Sequence, residues 1–394
     1  MNTRFRIVML AVLSAVLVAC TARKHQLEVS VTNPLDFKRK EITSIQKEQL
    51  AVLLRNTGEQ SIRIKEEVSG KLLPVQWTDN DQDGQTDEVL FQAEVAGKST
   101  SRYLVLADST VLIPESNLTT YSRFVPERTD DYTWENDKVA FRVYGPDAQK
   151  RTEQKRENGT LSSGVDLWLK RTSQPVINKW YKGYLTDGSF YHVDRGEGYD
   201  PYHVGASRGV GGSGIWTQDS LQVSKNYVSY KTIAVGPLRT VFELVYAPWS
   251  SYGVKEIKRI SLDLGSNFSK FQISLKSEQP LPNYAVGISL HRNEGVARLN
   301  VQQGYFAHEE SIDGSLLAEG IVLDPATIKD AFQHKSPTPD QSNLLILITP
   351  ADQITYYAGF AWEKSGQIQS GADWEKMLAK QAQVIANPLI VQIN

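Results

Sequence analysis

Apolar and polar residues alternate at every second position through most of this chain. Leu27-Glu28-Val29-Ser30-Val31, Val139-Ala140-Phe141-Arg142-Val143-Tyr144 and Leu238-Arg239-Thr240-Val241-Phe242-Glu243-Leu244 carry the pattern, and it returns at 257–262, 269–275 and 356–360. Side chains of a strand point alternately to its two faces, so this spacing predicts strands with one buried and one wet face. The run Leu344-Leu345-Ile346-Leu347-Ile348 also reads as a strand. Helical spacing is confined to short pieces. The clearest puts Trp374, Leu378 and Ala382 on one stripe, with Ser370 placed to cap it. Many strands without intervening helices predict an all-β fold of stacked antiparallel sheets, and the length favours a large sandwich over a small one. No repeat of about 20–50 residues is present to suggest a propeller or solenoid. The alternation divides into a smaller N-terminal β region, residues 20–110, and a main body, residues 111–394.

The first residues follow a different rule. Arg4 and Arg6 precede an apolar run from Ile7 to Val18, long enough for a signal-peptide core and short for a membrane span. The run ends in Leu17-Val18-Ala19-Cys20, a bacterial lipobox, so residues 1–19 read as a signal peptide and Cys20 as the lipidated residue. Thr21-Ala22-Arg23-Lys24 follows without an acid. An outer-membrane lipoprotein facing the periplasm is the expectation, with the cell surface as the alternative. Cys20 is the single cysteine, so the mature chain forms no internal disulfide and carries no thiolate metal site.

Charge excludes one class of partner: with a formal net charge of -2 and both signs interspersed, the chain has no electrostatic footprint for nucleic acid. The 17 tyrosines and 8 tryptophans suit sugar stacking and β-sandwich cores equally. His-x-x-x-His and P-loop spacings are missing, which removes support for a helical zinc site and nucleotide binding; no organic cofactor is expected.

Candidate chemistry concentrates between residues 190 and 216. His192, Asp194, Arg195, Glu197, Tyr202, His203 and Arg208 sit there among glycines, a mixture that a packed core rejects unless each polar head finds a partner. A self-satisfied surface loop is the plain alternative. Upstream, Arg128, Asp131, Trp134, Glu135 and Asn136 collect groups that grip hydroxyls, a carboxylate and a ring face, ahead of the strand that holds Arg142; a salt-bridged loop would look the same. Arg239 and His291 each follow or open a strand and could reach the same cleft, and Trp216 closes the glycine-rich stretch. Separately, Asp79, Asp81, Asp83, Gln85 and Asp87 stand at calcium-loop spacing with Gly84 at the sixth position. Leu90 occupies the place of the usual bidentate glutamate, so either Glu88 or a remote carboxylate completes a structural Ca2+ site, or the loop is an acidic turn.

The stretch Trp134 to Pro146, the His192 to Trp216 block, Gly236-Pro237-Leu238-Arg239-Thr240-Val241-Phe242-Glu243-Leu244 and Tyr356-Tyr357-Ala358-Gly359-Phe360-Ala361-Trp362 resemble the secreted, DUF-type proteins of Bacteroidota polysaccharide-utilisation loci. The resemblance covers nearly the whole mature chain. It implies a galactose-mutarotase-like β-supersandwich, shared with several polysaccharide lyases, and an acidic oligosaccharide as partner, since some of those proteins are thought to be uronyl-oligosaccharide dehydratases. It supplies no catalytic residues.

Chemistry assigns them instead. Elimination beside a carboxylate needs that carboxylate held, a base at the ring proton and an acid at the departing oxygen. Arg208, with Arg142, is expected to hold the carboxylate; His192 or His203 to act as base; Tyr202 or the other histidine as acid; and Glu197 or Asp194 to orient a histidine. Trp134 or Trp216 would stack on the sugar, with Arg239 also at the substrate. A polysaccharide lyase, a glycosidase, a mutarotase and a non-catalytic glycan-binding lipoprotein are the alternatives.

Overall fold

Val254–Asp263 and Asn343–Ile348 display the two kinds of strand from which the fold is built. In Val254–Asp263 buried and more exposed residues alternate along the whole strand, whereas every residue of Asn343–Ile348 is buried. The first belongs to a sheet with one face on the core, and the second to a sheet covered on both faces. A computed structural model describes residues 26–55, 57–338 and 340–393. The signal peptide and Cys20 lie outside the described residues.

Among these residues the strands form five sheets, and every pairing between named strands is antiparallel. An eight-stranded sheet runs from Tyr227–Ala234 at one edge to Val296–Asn300 at the other. Two five-stranded sheets cover one of its faces. One is centred on Tyr284–Ser289 and the other on Ala140–Val143. Between them lies a single apolar cluster that includes Trp134, Phe141, Phe242, Phe271, Phe306, Phe360 and Trp362. This is the large all-β sandwich of antiparallel sheets expected from the alternation.

The N-terminal region builds its own sandwich. Arg39–Gln46, Glu88–Val95 and Val75–Thr78 face a sheet built on Gln26–Asn33 and Ser99–Ala107, around Val29, Ile64, Phe91, Tyr103 and Val105. Ile390–Ile393, which the sequence groups with the main body, returns to pair with Gln26–Asn33. Gly371–Ala386 is the expected helix. The Ser370 hydroxyl accepts from the Asp373 amide, and Trp374 and Leu378 are fully buried against the outer face of the eight-stranded sheet.

The segment that positions the candidate site is threaded through the end of the sandwich. Val165 and Gly209 form a parallel bridge. Gly209 adopts a φ of 53°, and a Cβ there would stand 1.8 Å from the Val165 carbonyl oxygen, so only glycine lets the chain after His203 lie against this strand.

Candidate functional site

Arg142 and Asp166 face each other across neighbouring strands, on the side of their sheet away from the main core. Arg142 Nη2 lies 2.6 Å from Asp166 Oδ2 and 2.7 Å from Asp200 Oδ2, and its Nη1 is 3.8 Å from Asp131 Oδ2. It also donates to the hydroxyls of Tyr144 and Tyr191. The arginine is 3% exposed and the three carboxylates 0%. One guanidinium therefore faces three carboxylates in a dry space roofed by Trp168, Tyr181 and Tyr191. Burial, reinforced by Asp166, pushes the Asp200 carboxyl well above its usual range, and burial, partly offset by Arg142 and Arg128, pushes Asp131 up to about 6. Asp131 Oδ1 and Asp166 Oδ1 lack hydrogen-bond partners, as expected where like charges crowd and a proton is retained.

His192 sits at the rim of this cluster. Its Nδ1 is 3.0 Å from the Asp200 main-chain oxygen, which can only accept, so Nδ1 carries the hydrogen and Nε2 the lone pair. The side chain is 44% exposed. Partial burial, with Arg142 and Arg128 nearby, holds the imidazole below its usual pKa and keeps it neutral.

On the other side of the 200–204 segment lies a second polar cluster, at one end of the main core. His308 and Glu319 are directly opposite each other on adjacent strands, and Glu310 shares the face of His308 two residues on. His308 Nδ1 is 3.1 Å from Glu319 Oε2, and His291 Nδ1 is 2.8 Å from Glu310 Oε1. Tyr202 donates its phenolic hydrogen to Glu310 and stacks on His291, with ring centroids 4.3 Å apart and planes 4° apart. His291, His308, Glu310 and Glu319 bring one ligand atom each within 4.8 Å of the others, a set able to hold a metal ion.

With this geometry in hand, the family can be stated. The family model for a domain of unknown function, DUF4861, matches residues 31–391. The chain belongs to the DUF4861 family. It is 42% identical over 379 residues to "Uncharacterized protein P7" of Formosa agariphila, with 94% of each chain covered, in keeping with the resemblance to Bacteroidota proteins. Among solved structures it is similar to a protein in the glycosyl hydrolase family 38 from Enterococcus faecalis, with a TM-score of 0.53 and 9% identity. That match covers 94% of this chain and 47% of the other, so the DUF4861 chain spans about half the length of that structure. At such identity the likeness describes the fold alone.

The DUF4861 chain gathers His192, Tyr202, His203 and Arg142 around the 200–204 segment, as the sequence suggested, and sends the other candidates elsewhere. Arg208 is a correction: it is 1% exposed, points into the sandwich, and spends its donors on Ser163 Oγ and the Ala206 and Ser213 carbonyls. Burial pulls its guanidinium down to about 10. Arg142, being enclosed by aspartates, is not free to hold a sugar carboxylate. Trp134 is 0% exposed, donates to Ser269 Oγ and packs on Phe141, so it is a core residue and no stacking platform. Trp216 packs on Phe332 and His334 in the other five-stranded sheet. Glu197 pairs with Lys179, and Asp194 with Arg171 and the amides of Gly196 and Gly198, so neither orients a histidine.

Arg239 pairs with Asp263 in a different place, a groove of about 550 Å³ between the N-terminal region, the outer face of the eight-stranded sheet and the helix Gly371–Ala386. Lys40, Lys138, Lys270 and Lys380 also line it, and none of the four forms an ion pair among the described residues. In the Asp79–Asp87 loop, Asp79, Asp81 and Asp87 approach one another within 4.8 Å; Asp83 stands outside that group and accepts from the Gln85 amide. Glu88 accepts from Gln46, Thr78 and the loop residue Asn80, and lies outside the group of three.

Asp166, Asp200, His308, Glu310 and Glu319 were not singled out from the sequence. A usable signal was the lone Glu319 inside the apolar run Leu316-Leu317-Ala318-Glu319-Gly320-Ile321-Val322, since an isolated acid in such a strand needs a buried partner.

Proposed function

We propose that this protein is a carbohydrate-active carbon–oxygen lyase, a dehydratase that eliminates water from a uronic acid at the non-reducing end of an oligosaccharide. The observation that carries the proposal is the imidazole of His192, locked through Nδ1 on the Asp200 carbonyl so that a neutral Nε2 faces outward. That nitrogen takes the proton on the ring carbon beside the carboxylate. The released electron pair forms the ring double bond, the adjacent carbon–oxygen bond breaks, and the oxygen departs as water with a proton from an acid. His203, exposed three residues beyond Asp200, supplies it; three residues of chain reach at most about 10 Å, within the span of a sugar ring and its substituents. Tyr202 is committed to Glu310 and acts by fixing the His291 side of the site. With Arg142 and Arg208 enclosed, Arg195 is the cation for the sugar carboxylate. Its pair with Asp187 is 3.3 Å long with both side chains nearly half exposed, and exposed pairs of this kind contribute at most about 1 kcal/mol, so a substrate carboxylate exchanges for Asp187 readily.

The test is incubation with uronic-acid oligosaccharides. Expected are the absorbance of an unsaturated uronate, a product lighter by one water, and loss of both in His192→Ala. Chain cleavage without unsaturation, or a full rate in His192→Ala, refutes the assignment.

Binding of an acidic glycan without chemistry has one observation in its favour, the lysine-lined groove, where a chain could lie far from any imidazole. In that case acidic oligosaccharides bind with no change in absorbance or mass, and Lys270→Met weakens the binding.

A further inference from the structure

We propose that His291, His308, Glu310 and Glu319 together bind one divalent cation, and that the ion is zinc. The inference goes beyond the elimination chemistry and does not depend on it.

Two nitrogens and two carboxylates converge from three separate pieces of chain. His308 and Glu310 come from Tyr305–Ile312, Glu319 from Ser315–Leu323, and His291 from the turn after Tyr284–Ser289. Tetrahedral zinc with bonds of about 2.1 Å sets its ligand atoms roughly 3.4 Å apart. The contacts of 2.8 and 3.1 Å and the outer limit of 4.8 Å bracket that spacing, so the shell closes with shifts of at most about 1.4 Å at its widest pair.

Ordinary hydrogen bonding does not account for the cluster. His291 Nδ1 lies close to Glu310 but without hydrogen-bond geometry, and Glu319 Oε1, on a side chain 1% exposed, has no partner. A buried carboxylate oxygen left bare is costly, and the charges facing Glu319 are two imidazoles and the like-charged Glu310. With both imidazoles neutral, the four side chains carry two negative charges, which a divalent cation cancels. Beside them Tyr202, His291 and Glu319 line a cavity of about 10 Å³, room for roughly one water-sized sphere. Tyr202 completes the arrangement in the manner of outer-shell residues at metal sites, hydrogen-bonded to one ligand and stacked on another. Mixed imidazole and carboxylate donors at tetrahedral spacing select zinc over calcium or magnesium, which want sets made of oxygen.

Full-length mature protein is stripped with a chelator, checked for folding by circular dichroism and titrated with Zn2+. One equivalent should bind and raise the melting temperature. Glu319→Gln, which preserves shape, should lose more than tenfold in affinity, and Tyr202→Phe roughly tenfold to a hundredfold. His308→Ala should behave like Glu319→Gln; should it fail to fold, the glutamine variant decides. Folded, stripped protein that takes up no Zn2+, that prefers Ca2+ or Mg2+, or whose Glu319→Gln form binds as tightly as the parent overturns the proposal.

Discussion

Replacing Arg142 by methionine tests whether this arginine is a structural counter-ion. The substitution retains most of the aliphatic volume against Trp168 and Tyr191 and removes the guanidinium that lies 2.6 to 3.8 Å from Asp166, Asp200 and Asp131. Breaking a buried ion pair by deleting one partner costs about 3–5 kcal/mol, because the other charge stays buried and uncompensated. Three carboxylates at 0% exposure put the expected loss at the upper end, about 5 kcal/mol at neutral pH. That is a third or more of the roughly 5–15 kcal/mol that holds most domains folded.

The pH dependence has a definite sign. Without the cation the three native carboxyls titrate even higher than they do now, while in the unfolded chain they ionise near the ordinary aspartate value of about 3.9. The native state then binds more protons than the unfolded one across the interval above that value, so the variant's stability falls as pH rises through it. Urea unfolding at pH about 4.5 and 7 should therefore give a deficit against the parent that is smaller at the acid value. A variant as stable as the parent at pH 7, or a deficit unchanged or larger in acid, would refute the counter-ion assignment. Arg142→Lys should fall between, since one ammonium cannot fork to the same three partners.

For elimination by His192, the ascending limb in the pH profile of kcat/KM should reach its midpoint below the ordinary imidazole value of 6.5, because only the neutral ring can take a proton and partial burial favours that form; an ascending midpoint above 6.5 argues against it, whereas a fall at higher pH reports the acid's proton. If acidic oligosaccharides occupy the lysine-lined groove, their affinity should drop steeply with added salt and further in Lys270→Met, both read by titration calorimetry; salt-insensitive binding rules the groove out. Trp134→Ala should cost about 3–5 kcal/mol in denaturant unfolding, and a loss under 1 kcal/mol would contradict its placement in the core.

The strand pattern was legible because it is local. Ile260, Ser261 and Leu262 alternate in burial as they alternate in sequence, although Glu256 and Lys258 face inward and Ile257 outward in the same strand; the run 344–348 is apolar where it is covered throughout, and Ser370 caps the helix it precedes. Local chemistry also marked the 190–216 stretch, and His192, Tyr202 and His203 do meet the buried Arg142 network or the second cluster beside it. The direction in which a charged side chain points was not legible in the same way. Arg142, Arg195, Arg208 and Arg239 are alike as residues, yet they end in an aspartate cluster, on the surface, in the core and in a groove.

The sequence by itself determined the strands, their inward faces and the region where polar groups concentrate, since alternation and turn chemistry act within a few residues. Tertiary structure decided which charges neutralise one another. His291 comes within 4.8 Å of His308 and Glu319 only because the strand before it, Tyr284–Ser289, belongs to a sheet stacked on the one that holds the hairpin of Tyr305–Ile312 and Ser315–Leu323, and Arg142 is withheld from solvent only because Asp131, Asp166 and Asp200 converge on it from three separate strand ends. A charge's partner depends on distance through space, and in a sandwich of antiparallel strands that distance is set by pairing order and register rather than by position along the chain.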